Sequence, residues 1–473
     1  MKLYSTFIFI LITLIGCKKD GNETVLDYAY FGGEIINPNT NYVLLSKNDT
    51  VIDTIKLDGR NRFLYKINDL TEGLYTFSHG GEYQLILLEP EDSLLFRLNT
   101  LEFDESLVYS GKGDKKNNYF INEFLGNEQE EKFVVKLSQF DGKTFQSKVD
   151  SLRAHKLNAL NKFSEKHNPS DLFLKIAKTN IDYTYYSSKE VYPFMHYGKN
   201  KAAILKSLPD NFYEYRKEIN YNDEFLSSYH NYFKFLRYHF SNLSLRTHDH
   251  HDINACFDRE SLCYNMDRLK LVDSLIVNPI IKDELLYHFT MGYLSKSKNE
   301  KNNNLLLKSY LSKSKSEKGK NKMERYTRSI HQLKEGLKFP EINLVTYNRD
   351  FIEVNDVIST PTVLSFWSHV YYEHFKESHY KLKELKQKYP EVKFIAINID
   401  DYSVEKSRKL LENHGFFNMN QFKFKNPEKS LETLAVYPMT KTILVDKNKK
   451  IVNSNTNLFS IHFEEQLLGL INR

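Results

Sequence analysis

The chain has 473 residues, of which 41% are hydrophobic and 27% are charged. This length predicts two or three domains, and the composition is that of globular chains rather than disordered or membrane-spanning ones. The formal net charge is only +5, from 66 basic and 61 acidic residues. Because the sequence also lacks an arginine-rich stripe and any nucleic-acid motif, nucleic acid is not expected as a partner.

The N-terminus carries an export pattern. Lys2 precedes an apolar run from Phe7 to Ile15, which has the length of a signal-peptide core and falls well short of the roughly 20 residues of a spanning helix. The residues Leu14-Ile15-Gly16-Cys17 resemble the lipobox of bacterial lipoproteins, in which the preceding peptide is removed and the cysteine is acylated.

This resemblance implies a signal peptide over 1–16 and a lipidated tether over 17–25 that begins at Cys17. Several acyl chains hold a protein stably on a membrane. The expected location is therefore the cell envelope, on the periplasmic or the surface side of the outer membrane. The alternative is an uncleaved signal anchor with an incidental cysteine.

Residues 26–116 have the pattern of an antiparallel β-sandwich. Short runs of alternating apolar and aromatic residues, such as 42–45 and 83–88, are separated by turn residues at Asp58-Gly59 and Gly80-Gly81. Strands of this length with frequent turn signals are typical of sandwiches and small barrels.

From 117 to 334 the hydrophobic period changes to 3.6 residues. Examples are the segments 145–163, 225–245 and 269–276, and proline residues separate them. The pattern predicts a central region of packed amphipathic helices that covers or spaces the flanking domains.

A histidine-rich segment within this region is a weak candidate metal site. His248, His250 and His251 alternate with aspartates, and imidazole and carboxylate groups are ligands for zinc or copper. Adjacent residues cannot all face one ion, so a solvated loop is the alternative, and no cofactor is expected.

Cys256 and Cys263 are the only cysteines besides Cys17. Outside the cytoplasm two remaining thiols tend to pair or to be buried. In a continuous helix the two would lie roughly 10 Å apart, too far to bridge, whereas a loop would allow a structural disulfide.

From 335 to 473 strands and helices alternate. The sequence predicts a strand over 362–367, a helix over 371–389, a strand over 392–400 and a helix over 404–414, followed by a hairpin and a last helix. The strand over 392–400 is almost continuously apolar, as a sheet covered on both faces requires.

Four motifs of this segment carry a family resemblance. They are Gly336-Leu337-Lys338-Phe339-Pro340, Leu364-Ser365-Phe366-Trp367-Ser368, Asn398-Ile399-Asp400 and Tyr437-Pro438-Met439-Thr440. In order and spacing they resemble the TlpA/ResA-type thioredoxin-like family. The resemblance implies an α/β thioredoxin-like fold and the activity of a thiol–disulfide oxidoreductase, with Cys-x-x-Cys at a helix start beside a cis-proline.

The cysteines of that motif are absent here. A thiolate at a helix N-terminus is stabilised by the helix dipole and attacks disulfides, but Tyr371 and His374 occupy the two positions, while Pro438 matches the cis-proline. Since no cysteine follows Cys263, dithiol exchange at this site is excluded. Tyr371 and His374 either form an acid–base pair or fill the space of the lost disulfide.

Binding does not require sulfur. In relatives the backbone before the cis-proline pairs with extended peptides, which is a form of strand addition. Trp367, Tyr371, Tyr372 and Tyr437 are candidates for an aromatic-rimmed groove, which Met439 would reshape; the alternative, above all for Trp367, is core packing.

The sequence thus favours a redox-inactive thioredoxin-like lipoprotein that binds or scaffolds an envelope protein or an extended peptide. The first alternative is a TlpA-type oxidoreductase that uses Cys256 and Cys263. The second is a metal-binding envelope protein.

Overall fold

The computed structural model describes residues 27–48, 50–198, 200–248 and 258–473. Within these ranges strands occur at both ends of the chain and a helical region lies between them. The prediction of a multidomain chain with β-sheets and a helical region is therefore confirmed. The predicted signal peptide, the tether and Cys17 lie outside the described residues. None of the described helices is long and apolar enough to cross a bilayer.

The first part of the described chain consists of strands. They are β1 (Tyr28–Ile36), β2 (Tyr42–Lys47), β3 (Thr50–Lys56), β4 (Arg62–Asn68), β5 (Gly73–His79), β6 (Glu82–Leu88), β7 (Ser93–Asn99) and β8 (Val108–Lys112). The described strands form sheets in the orders β4-β1-β7-β8 and β3-β2-β5-β6. Phe31 and Phe96 of one sheet pack against Phe77 of the other, and the ring centroids of Phe77 and Phe96 lie 4.8 Å apart.

One strand pairing differs from the expected antiparallel arrangement. Strands β1 and β7 are parallel. They are not joined by a hairpin, because the chain passes through the second sheet between them, and so their directions are not forced to be opposite.

The middle part is helical. Its helices are α1 (Asp114–Leu137), α2 (Gly142–His167), α3 (Asp171–Met195), α4 (Lys201–Lys206), α5 (His230–His248), α6 (Leu262–Leu275), α7 (Pro279–Leu294), α8 (Glu300–Lys313) and α9 (Glu317–Gln332). Several start at side-chain caps; Asp141, for example, accepts hydrogen bonds from the N–H groups of Lys143 and Thr144. The helices begin earlier than the predicted boundary at 117. The helix predicted over 225–245 is interrupted, because 225–228 form a 3₁₀ turn before α5.

The last part combines a sheet with helices on both faces. Its strands are β9 (Asn343–Val345), β10 (Phe351–Glu353), β11 (Thr362–Trp367), β12 (Lys393–Asn398), β13 (Asn420–Phe424), β14 (Lys441–Val445) and β15 (Ile451–Asn457). Its helices are α10 (Val354–Val357), α11 (Tyr372–Lys388), α12 (Val404–Asn413), α13 (Pro427–Thr433) and α14 (Phe463–Ile471). The strand order is β10-β9-β13-β12-β11-β14-β15.

The central strands of this sheet are parallel and buried on both faces. Strand β12 pairs in parallel with β11 and β13, and β14 runs antiparallel to β11. One face packs on α11 and α14. The other face shares a buried cluster with the helical region, in which Leu364 and Ile397 of the sheet join Leu285 and Leu286 of α7.

Candidate functional site

The start of α11 lies at the end of the sheet where the chain leaves the central strand β11. Ser365 of β11 pairs with Thr442 of the antiparallel strand β14. The residues after β11 and those before β14 therefore emerge at the same edge. The first group contains Tyr371, and the second contains Pro438, whose peptide bond with Tyr437 is cis.

Tyr371 and His374 differ in their surroundings. Tyr371 is the N-cap residue of α11, is 54% exposed and makes no side-chain capping bond. His374 is half-buried, and burial lowers the pKa of its imidazole. Its Nδ1 atom is shielded from solvent without a hydrogen-bond partner in the described part of the chain. The two residues thus offer a surface phenol and a half-buried imidazole whose protonation is disfavoured by burial, and neither supplies a thiolate.

Trp367 belongs to the core and not to the rim of a groove. Its side chain is fully buried, with ring centroids 4.9 Å from Phe375 and 5.5 Å from His379. The proposal that it lines a groove fails because it ends a strand that is covered on both faces.

The other aromatic candidates have different neighbours. The hydroxyl of Tyr372 lies 2.9 Å from Nε2 of His414. Tyr437 is 38% exposed; the burial of the rest of its side chain and the nearby phenol of Tyr287 raise its pKa. Met439 packs against the cluster shared by the sheet and the helices.

A hydrogen-bond network that was not predicted from the sequence fixes the loop between β11 and α11. The carboxylate of Asp400, just past β12, accepts bonds from Ser368 Oγ at 2.6 Å and from the backbone N–H of His369 at 2.7 Å. It also accepts a bond from Asn398 Nδ2 at 2.9 Å. One carboxylate therefore joins the ends of two neighbouring strands.

Lys423 of β13 extends this network. Its ammonium donates to Asn398 Oδ1 at 2.7 Å and to the backbone oxygen of Asp400 at 3.0 Å, and burial lowers its pKa to about 8. Nε2 of His369 lies 3.1 Å from Ser407 Oγ, and burial lowers the pKa of this imidazole to about 4. The side chains of Lys423 and His369 are nearly inaccessible to solvent. We therefore interpret the network as a structural support for the loop between β11 and α11. The signal in the sequence was the polar residue that ends or follows each central strand.

The β5–β6 turn of the first domain contacts this loop directly. Gly81 has a φ of +104°, and a Cβ atom there would lie 2.3 Å from the carbonyl oxygen of His369. Only glycine fits this contact, because a side chain would meet backbone and the φ is unfavourable for other residues. The loop before α11 is thus covered on one side by the N-terminal sheets.

A cleft of about 2040 Å³ opens between the three parts of the chain. It is lined by β2, β5 and β6, by α1, α5, α7 and α9, and by the start of α11 together with α12. Aromatic and apolar side chains on its walls include Tyr83, Leu85, Phe124, Tyr287 and Tyr402. Since ligand pockets usually measure about 300–1,000 Å³, this volume suits a polypeptide segment better than a small molecule.

The remaining candidates are only partly described. His248 ends α5, while His250, His251 and Cys256 lie outside the described residues. Cys263 is exposed near the start of α6. Across the described ranges no group of three or more His, Cys, Asp or Glu side chains is arranged to hold a metal ion. The disulfide and the metal site stay predictions.

No family model and no curated protein matches the chain. Solved structures similar to about 30% of the chain include domains of thiol–disulfide oxidoreductases. One is the thioredoxin domain of a thiol-disulfide oxidoreductase from Bacteroides vulgatus, with 17% identity over 30% of this chain and 99% of that chain, at a TM-score of 0.26. Another is a thiol:disulfide interchange protein from Bacteroides sp., with 17% identity over 30% of this chain and 93% of that chain, at a TM-score of 0.25.

Proposed function

We propose that this chain is a lipid-anchored envelope protein whose residues 335–473 form a thioredoxin-like domain that binds protein or extended peptide. The proposal is carried by the start of α11, where Tyr371 and His374 stand in the positions of the redox cysteines. Parallel β11 and β12, the crossover α11 and the cis bond before Pro438 support the thioredoxin-like assignment. Without sulfur at this edge, the domain keeps the framework of the family and loses its dithiol chemistry.

The remaining domains follow the same proposal. The strands up to Lys112 form a β-sandwich, the helices from Asp114 onward to about residue 334 form a helical domain, and Cys17 carries the lipid after removal of 1–16. The tether over 17–25 holds the folded domains close to the membrane. The lipobox-like sequence at Cys17 supports this arrangement.

The cleft supports binding as the role of the folded domains. All three domains contribute walls, and the wall residues combine aromatic, acidic and basic side chains. An extended segment of an envelope protein is the occupant that matches its volume. Binding would hold such a segment against the first turn of α11, next to Tyr372.

An insulin-reduction assay with dithiothreitol tests the absence of redox activity. We expect the protein and its Cys256→Ser/Cys263→Ser variant to give the same rate as buffer. Turnover by the unmodified protein that is lost in the double variant would contradict the proposal and support the oxidoreductase alternative.

The lipid anchor has a separate test. Cys17→Ser is expected to abolish incorporation of labelled fatty acid and to move the protein out of the membrane fraction. Cys263→Ser is the matched control and should remain acylated. Acylation of the Cys17→Ser variant would disprove the anchor at this residue.

A further inference from the structure

Strand β6 is an edge strand, and one stretch of that edge is open. Both backbone groups of Leu87 are bonded by the side chain of Asn117, at 2.8 and 3.0 Å. Because backbone groups on the same side of a strand recur every second residue, those of Tyr83 and Leu85 also point away from β5. In the described sheets no strand lies along this edge. The N–H of Leu85 donates a 3.3 Å hydrogen bond to Oε1 of the adjacent Gln84, a local contact that an added strand would replace.

This open stretch faces the cleft with large apolar side chains. Tyr83 is 63% exposed and Leu85 is 44% exposed, and both line the cleft. Proteins usually protect such edges with lysine, proline or a bulge, but residues 82–88 contain neither lysine nor proline and pair with β5 in regular register. The edge therefore has the features of a site for strand addition.

The charged residues beside β6 are acidic, whereas the basic residues of the cleft lie on α5, α9 and α12. Glu82, Asp104, Glu123 and Glu128 all line the cleft. Burial raises the pKa of Glu82, the neighbouring carboxylates of Asp104 and Glu373 raise it further, and Lys376 offsets part of this rise. The pKa of Asp104 is raised in the same way, by burial and then by other acidic groups that include Glu128. A positively charged ligand would relieve this repulsion.

We propose that β6 binds an extended, lysine- or arginine-rich segment of a partner protein as an added strand within the cleft. Backbone hydrogen bonds to Tyr83 and Leu85 provide the affinity, and the acidic side chains select basic residues in the partner. This inference rests on the proposed binding function and places the main contact on β6 of the N-terminal sheets, whereas the family resemblance implies the backbone just before Pro438.

Fluorescence anisotropy with a labelled decapeptide of alternating lysine and valine tests the assignment on the whole chain. We expect saturable binding, at least tenfold weaker binding of the glutamate–valine decapeptide, and slowed amide exchange at 82–85 on binding. Tyr83→Pro removes an N–H group that faces the cleft and not β5, and it should weaken binding at least tenfold. Tyr83→Ala keeps that N–H group and serves as the matched control, with a smaller loss.

The outcomes separate this inference from the proposed function. Unchanged affinity in a folded Tyr83→Pro variant, or no protection at 82–85, overturns the β6 site. Loss of binding in Tyr437→Ala with full binding in Tyr83→Pro would overturn it too, while leaving peptide binding at the cis-proline edge intact. Absence of saturable binding by the lysine–valine peptide also overturns it, and the insulin assay then still decides the redox part of the proposed function.

Discussion

Replacement of Asp400 by alanine should detach the loop that precedes α11. The carboxylate accepts three hydrogen bonds, from Ser368, His369 and Asn398. Bonds to a charged group contribute about 1.5–3 kcal/mol each, but they share one acceptor and do not add fully. Because Asp400 is only half-buried, we expect Asp400→Ala to lower the free energy of unfolding by about 2–4 kcal/mol. Asp400→Asn retains one acceptor oxygen and should lower it by about 1–2 kcal/mol.

Equilibrium unfolding in urea, followed by tryptophan fluorescence, measures this effect. Trp367 is the only tryptophan of the chain and is fully buried, with its ring centroid 5.5 Å from that of His369. The signal therefore reports on the domain that contains the network. Asp401→Ala is the control, since this neighbouring carboxylate is exposed and its loss should change the free energy by less than about 0.5 kcal/mol. If Asp400→Ala and Asp401→Ala are equally stable, the network does not hold the loop.

Three further predictions concern two buried titratable side chains, Glu190 and His369, and the contact of Gly81 with the loop before α11. Glu190 is fully buried and receives a 2.8 Å bond from Nε of Arg216; Glu190→Gln should cost about 3–5 kcal/mol in urea unfolding followed by circular dichroism. Burial alone would raise the pKa of Glu190, but Arg216 and His239 together lower it to about 2. This stabilisation should therefore be lost as the pH falls from about 4.5 toward 2, with a smaller loss in the variant. The pKa of His369 is about 4, below its usual value of 6.5, so the unfolded state binds a proton at a higher pH than the folded state does. The free energy of unfolding should therefore fall as the pH is lowered from 6.5 to 4, and it should fall less steeply in His369→Gln. Gly81→Val should speed amide exchange at 368–371, because its Cβ would meet the His369 carbonyl at 2.3 Å, whereas Gly59→Ala, with no atom within 4 Å of its Cβ, should leave it unchanged.

Local periodicity predicted the C-terminal elements well. The helix expected over 371–389 is α11 (Tyr372–Lys388), and the apolar run over 392–400 contains β12 (Lys393–Asn398). It was less successful at 225–245, where a 3₁₀ turn precedes α5. Apolar spacing in a short segment does not distinguish a 3₁₀ turn from the first turn of an α-helix, since the two differ in hydrogen bonding and little in composition.

The role of Trp367 shows a second limit. An aromatic residue at the end of a strand suits either a core or a groove, and the choice depends on what covers the strand. Here α11 and the ring of Phe375 cover it. The burial of Trp367 depends on residues outside its own strand, so the motif around Trp367 could not predict whether it lies in the core or in a groove.

The amino-acid sequence alone determines that Tyr371 and His374, and not two thiols, stand at the start of α11, because covalent composition does not depend on folding. It also specifies most strands and helices of the last domain, since their periodicity is local. Only the tertiary structure places Gly81 against His369, gathers Ser368, Asp400 and Lys423 into one network, and opens the edge of β6 to a cleft. Those features depend on chain segments that meet through packing of separate domains, and packing between distant segments leaves no regular signal in a single sequence.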